Sequence, residues 1–88
     1  MRYLKDKVED INIAYIGGGS RGWAWGFMSD LAIEPSLAGT VRLYDIDHKA
    51  ANTNEIIGNK ISNLEGAKTN WTYKAVPSLE EALTGADF

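Results

Sequence analysis

Four glycines within six residues, Gly17-Gly18-Gly19-Ser20-Arg21-Gly22, form the part of this sequence whose spacing most directly suggests chemistry. They satisfy the pattern Gly-x-Gly-x-x-Gly. In that pattern the unpaired backbone N–H groups at the start of a helix receive the pyrophosphate of a dinucleotide. Gly17 would make the tight turn, Gly19 would leave room for the phosphates, and Gly22 would let the helix pack closely on the preceding strand. Gly18 completes the backbone cradle, and Ser20 and Arg21 would add side-chain donors. No Lys followed by Ser or Thr comes after the glycines, which argues against a phosphate loop for nucleoside triphosphates. A glycine-rich turn without a ligand is the alternative reading.

A carboxylate about 20 residues past such a loop accepts hydrogen bonds from the adenosine ribose. Asp45 stands at that distance, after a short β-branched and aromatic run. Its charge would repel the additional phosphate of NADP, so loop and acid together predict NAD. Asp47 reads instead as the N-cap of the following helix. Asp45, Asp47 and His48 do not make a calcium loop, because no further acidic ligands follow at the required spacing. With no cysteine in the chain, thiolate metal sites and disulfides are excluded as well. No catalytic residue and no metal ligand is assigned among these residues.

Several elements must position the loop and the acid. Ile11–Ile16 is a compact apolar run, as expected of a strand buried on both faces of a parallel sheet. A helix is predicted from about Arg21 to Ala32, ended before Pro35, with Trp23, Phe27 and Leu31 toward the sheet and Ala24 and Met28 beside them. The pattern assigns Trp25 to another face without fixing its burial. Thr40–Tyr44 is a second strand. A second helix follows from about His48 to Asn63, with Ala50, Ile57, Ile61 and Leu64 as its apolar face and Gly66 as its stop. Trp71–Val76 is a third strand. Ser78 and Glu81 then form a capping-box signature for a helix over Leu79–Leu83, and Ala86-Asp87-Phe88 resembles the approach to a fourth strand. Residues Met1–Asp10 read as a polar lead-in containing a helical turn.

Alternation of strands and helices makes a parallel sheet with right-handed crossovers. The predicted fold class is therefore α/β: a Rossmann-type parallel sheet, the first βαβαβ half, truncated before the fourth strand. Residues 11–88 would be the N-terminal part of an NAD-binding Rossmann domain. In the strand order 3-2-1-4 the first strand is central. The backbone of Asn12–Ile16 is thus expected to be an open apolar edge, covered by further polypeptide or by a second copy.

Composition agrees with this reading and excludes others. Eighty-eight residues are too few for a complete two-halved Rossmann unit. An apolar fraction of 44% and a charged fraction of 24% are ordinary for a globular protein and argue against disorder. A net charge of -3 without a basic run excludes a nucleic-acid footprint. The charged start lacks the apolar core of a signal peptide, and no apolar stretch approaches the roughly 20 residues that cross a bilayer. A cytoplasmic protein without membrane or nucleic-acid partners is expected.

Larger stretches carry a family likeness. Ile13-Ala14-Tyr15-Ile16-Gly17-Gly18-Gly19-Ser20, Gly22-Trp23-Ala24, Asp30-Leu31-Ala32, Leu43-Tyr44-Asp45-Ile46-Asp47 and Glu81-Ala82-Leu83 resemble the N-terminal region of family 4 glycoside hydrolases. The likeness is to the α-glucosidase and α-galacturonidase branch. The phospho-glycosidase branch usually carries Thr-Pro just past the loop, where this sequence has Gly22-Trp23-Ala24-Trp25. The resemblance implies a full-length hydrolase of α-glycosidic bonds that depends on NAD and a divalent metal, typically manganese, and forms a homo-oligomer.

In such enzymes NAD takes hydride from sugar carbon 3, and a tyrosine base removes the proton at carbon 2 while the metal stabilises the enediolate. The leaving group is then eliminated, water adds, and the hydride returns, a departure from the two-carboxylate mechanism. The family's metal ligands, a cysteine and a histidine, have no counterpart here, since there is no cysteine and His48 lies in a different context. Tyr3, Tyr15, Tyr44 and Tyr73 fall in the lead-in or in predicted strands, so none is the candidate base. The 88 residues alone are expected to hold the adenosine and pyrophosphate portion of NAD without catalysing. Two other readings stay open: the NAD-binding part of a lactate or malate dehydrogenase-like oxidoreductase, and a non-catalytic nucleotide-binding module.

Overall fold

In the computed structural model, which describes residues 1–88, the chain forms seven elements. They are β1 (Arg2–Leu4), β2 (Lys7–Ile16), α1 (Gly22–Ile33), β3 (Leu37–Tyr44), α2 (His48–Ser62), β4 (Trp71–Ala75) and α3 (Leu79–Leu83). The strands lie side by side as β1-β2-β3-β4. β2, β3 and β4 are parallel, and β1 is antiparallel to β2. This is the predicted βαβαβ half, with the strand that leads into the glycine loop inside the sheet.

The N-terminus departs from the expected lead-in with a helical turn. It is a β-hairpin in which Arg2 opposes Glu9, Tyr3 opposes Val8 and Leu4 opposes Lys7. An ion pair between Arg2 and Glu9 ties its two strands. The hairpin is mostly exposed on both faces, so it has none of the apolar alternation by which a strand is recognised in sequence. What holds it is the neighbouring backbone of β2. Between Val8 and Ile11 the register against β3 shifts, and Asp10 there takes a φ of +54, a left-handed conformation that Asp tolerates better than most residues.

One face of the sheet carries the core, in which Ile11, Val41, Leu43, Trp71 and Tyr73 meet Ala24, Met28, Leu31 and Ala51 of the two long helices. The opposite face is covered only in part, by α3, where the carbonyls of Ala82 and of Thr84 just past the helix accept from the Arg42 guanidinium at 3.0 and 2.8 Å. Hence the expectation of two-sided burial for Ile11–Ile16 is not met in these residues: Ile11 is buried, Asn12 to Tyr15 are half-buried and Ile16 is exposed.

Both long helices are turned relative to their predicted faces. α1 buries Ala24, Met28, Leu31 and Ala32, while Phe27 is half-buried against the Tyr15 ring and Trp23 is 84% exposed. At the helix start the buried place belongs to Ala24, which is fully enclosed in the core, and Trp23 one residue earlier faces outward. α2 buries Ala51, Asn54, Gly58 and Ser62; Ile57 and Ile61 are half-buried, and Leu64 lies exposed beyond the helix end. This stripe is small because α2 lies close on β4, where a Cβ at Gly58 would stand 2.6 Å from the Tyr73 ring.

The polar residues of α2 serve as a substitute strand along the outer edge of β4. Ser62 Oγ accepts from Trp71 N at 2.6 Å and Glu55 Oε1 from Ala75 N at 2.9 Å. Between them, Asn59 accepts from Tyr73 N at 2.8 Å and donates to Tyr73 O at 2.9 Å. Steps of three and four residues on a helix advance about 4.5 and 6 Å, less than the ~6.6 Å between alternate strand residues, and side chains of different length (Ser, Asn and Glu) span the difference.

α3 begins as predicted, with Ser78 Oγ accepting from Glu81 N at 3.1 Å. At the other side of the sheet, the expected open edge of Asn12–Ile16 is partly taken. Asn12 O accepts from Asp87 N at 2.6 Å, and Ala14 N donates to Phe88 O at 3.0 Å. The Asp87 carboxylate also accepts from Asn12 N at 2.8 Å. Ala86–Phe88 therefore runs beside β2 as a fourth parallel strand would, as the order 3-2-1-4 requires. No helix is long and apolar enough to cross a membrane.

Candidate functional site

The C-terminal ends of β2 and β3 meet the start of α1, and the predicted loop lies in that corner. The N–H groups of Gly17 and Gly18 both donate to the Tyr44 carbonyl at 2.8 Å, which pins the loop to the end of β3. Gly17 turns the chain with a φ of +87, in the region that glycine enters without a Cβ penalty. Ser20 N then closes the turn on Gly17 O at 3.1 Å.

Asp45 reaches back over this loop. Its Oδ2 accepts from Gly19 N and its Oδ1 from Asp47 N, each at 2.9 Å. Each carboxylate oxygen retains a lone pair for a further donor. Gly19 is confined by the chain itself, because a Cβ there would stand 2.7 Å from Ala50 Cβ and 2.9 Å from Asp45 Oδ2. Gly22 differs from its expected packing role: a Cβ on it would meet nothing within 4 Å.

The start of α1 has no capping side chain and no acidic residue in its first turn. Gly22, Trp23 and Ala24 stand at helix positions whose N–H groups have no intrahelical acceptor, and the helix dipole adds partial positive charge there. Ser20 Oγ, in the same corner, is buried with no hydrogen-bond partner. The exposed Arg21 is the last residue before the helix. All seven predicted site residues, Gly17 to Gly22 and Asp45, are thus brought to one corner of the fold.

Sequence reasoning missed Asn54. This α2 residue is 2% exposed and donates through Nδ2 to Gly18 O at 2.8 Å and to Ser20 O at 2.6 Å. Its Oδ1 accepts from Trp25 Nε1 at 2.9 Å, which settles the role of the tryptophan that the helix pattern left open. A signal was present in the sequence, since Asn54 is the one amide in the small stripe of Ala51, Gly58 and Ser62. It became legible only once the buried face of α2 was known.

The remaining polar candidates have structural partners. Asp47 caps α2, accepting from Ala50 N at 3.1 Å. His48 sets its ring edgewise to Tyr44 at 6.1 Å. No three His, Cys, Asp or Glu side chains gather as metal ligands would. Tyr73 is buried in the core, and burial raises its hydroxyl well above the ordinary tyrosine range.

Comparison with known proteins places this corner in a family. Residues 12–88 match the profile described as family 4 glycosyl hydrolase. The chain is 67% identical over 88 residues to an alpha-galacturonidase of Thermoanaerobacter italicus, covering all of this chain and 18% of that protein. It is 51% identical over 80 residues to an alpha-galacturonidase of Bacillus subtilis, covering 91% of this chain and 17% of that protein. The crystal structure of lplD from Bacillus subtilis, described as a glucosidase, superposes with a TM-score of 0.81 at 52% identity, over 91% of this chain and 17% of that one. The chain therefore spans less than a fifth of the length of these relatives. With a family profile matching nearly its whole length, the chain belongs to family 4 of the glycosyl hydrolases.

Proposed function

We propose that these residues form the NAD-binding corner of a glycosidase that cleaves α-galacturonides. The observation that carries the cofactor reading is the uncapped start of α1, with the unpaired Ser20 hydroxyl beside it and the Asp45 carboxylate across the loop. A pyrophosphate fits the first two, being an anion that needs N–H and O–H donors. The ribose hydroxyls of the adenosine half fit the third, because the spare lone pairs of Asp45 need donors. The carboxylate disfavours a phosphate at the same place, which selects NAD over NADP.

Bound NAD supplies a hydride acceptor and, at the end of the cycle, a hydride donor. What this chain contributes is binding and orientation. Gly17 to Gly22 hold the phosphates against backbone donors, and Asp45 fixes the adenosine end. The divalent metal, the proton-removing base and the sugar contacts are assigned to the remainder of the full-length protein, for which this chain supplies no ligand cluster. The galacturonide preference rests on the relatives' activity, and family membership favours a glycosidase over a dehydrogenase that uses the same loop.

The test is hydrolysis of chromogenic α-galacturonide and α-glucoside by the full-length protein, before and after removal of NAD and divalent cations. The expected result is α-galacturonide cleavage that needs both NAD and the metal. Cleavage that survives complete removal of NAD overturns the reading.

A further inference from the structure

We infer that Asn54, locked by Trp25, is the positioning residue that holds the glycine loop in its binding form. The inference rests on the reading of this loop as the pyrophosphate site. Asn54 lies 36 positions beyond Gly18 and 34 beyond Ser20, so the contact belongs to the tertiary fold and not to the loop motif.

The orientation of its amide is fixed by chemistry. The indole Nε1 of Trp25 can only donate, and the Gly18 and Ser20 carbonyls can only accept. Turning the amide over would set a donor against a donor and an acceptor against two acceptors. Every hydrogen atom of the Asn54 amide is therefore spent on the loop, and its oxygen is held from α1. The residue bridges the loop, the helix that follows it and the helix that follows Asp45.

The consequence lies on the opposite side of those peptides. Gly18 O and Ser20 O belong to the peptide units that carry the N–H groups of Gly19 and Arg21. With both carbonyls drawn toward Asn54, both N–H groups are turned the other way. Gly19 N then meets Asp45 Oδ2, and Arg21 N is directed away from the Asn54 side, at the start of α1. Asn54 thus sets the peptide planes on which both the carboxylate and the phosphate donors depend. Without its amide, two carbonyls in a largely buried position lose their donors, and a rotated peptide would recover water at the expense of the donor array.

The test uses the full-length protein in four forms: wild type, Asn54→Ala, Trp25→Phe and Ile11→Val. Ile11 is buried in the middle of β2, six residues before the loop and outside its hydrogen bonds, so its variant reports a general loss of stability. NAD affinity is read by calorimetry, and backbone exchange of residues 18–21 by hydrogen–deuterium exchange without NAD. The expected result is at least a tenfold loss of NAD affinity in Asn54→Ala, a smaller loss in Trp25→Phe, and none in Ile11→Val at comparable thermal stability. Loop exchange should rise in the first two variants only.

Folded Asn54→Ala that keeps wild-type affinity and loop protection overturns the inference. Should Asn54→Ala fail to fold, Trp25→Phe decides in its place, and wild-type behaviour there overturns it. Wild-type protein that does not bind NAD defeats the reading of the loop as a cofactor site. The exchange data then still report whether Asn54 orders the loop.

Discussion

Asp45 illustrates how one side chain that holds a loop can also be the proposed contact for a ligand. Its oxygens hold Gly19 N and Asp47 N, and in the proposed NAD site their remaining lone pairs would accept from ribose hydroxyls. Replacing Asp45 with Ala in the full-length protein should weaken NAD binding by about 1 to 3 kcal/mol, the range for hydrogen bonds to a charged group. It should also narrow the preference for NAD over NADP, and calorimetry with both cofactors measures the two effects. Unchanged affinity for both would remove Asp45 from the site. Gly19→Val is the harsher change. Even a Cβ would stand 2.7 Å from Ala50 Cβ and crowd the Asp45 carboxylate, so the loop must shift. We expect NAD binding to fall below detection while the circular dichroism of the full-length protein stays near that of wild type.

Among the elements, α2 does more than cover the sheet. An edge strand offers unpaired N–H and C=O groups as a template for association. Here Glu55, Asn59 and Ser62 occupy those of β4 from within the same chain. Asn59→Ala removes two of these bonds and leaves the Tyr73 peptide groups unpaired at the edge. The full-length protein should lose about 1 to 3 kcal/mol in urea unfolding if it unfolds in one transition. A loss within ~0.5 kcal/mol would mean that water replaces the asparagine at no cost.

Across the molecule as a whole, burial of Tyr73 links stability to alkaline pH. Its hydroxyl has no hydrogen-bond partner, and its folded pKa is raised above the ordinary 10.0. The neutral form is the one that fits the core. Its contribution is therefore fully present below about pH 10 and is lost as pH rises from there toward the folded value, because the unfolded chain ionises first. Thermal unfolding at about pH 8 and about pH 11 should show a steeper fall for wild type than for Tyr73→Phe, which has no proton to lose.

The second whole-molecule expectation concerns association. Ala14 O and the backbone of Ile16 lie beyond the stretch paired by Asp87 and Phe88. Toward the earlier part of β2 an apolar hollow of about 460 Å³ opens between Tyr3, Ile13, Phe27 and Phe88. The isolated 88 residues should elute from size-exclusion chromatography as associated species, and the full-length protein should not do so through this surface. A sharply folded monomer of the 88 residues would show that the remaining edge is tolerated in water.

Local patterns determined the parts of this fold that neighbouring residues decide. The glycines, Asp45 at its spacing, the caps at Asp47 and Ser78, and the alternation of strand and helix all act within a few residues or one βαβ unit. The bounds of α1, α2 and α3 accordingly fell within a residue of their expected places. Tertiary structure decided what depends on distance in the chain. The charged N-terminal segment becomes a strand only because β2 offers it an edge. Trp23 faces outward because α1 turns Ala24, Met28 and Leu31 to the core, and α2 turns a small and polar stripe inward because β4 needs hydrogen bonds as well as contact. Asn54 is the clearest case. An asparagine in a helix signals nothing by itself, and it gains its role only when folding brings two loop carbonyls and one indole within reach of a single amide.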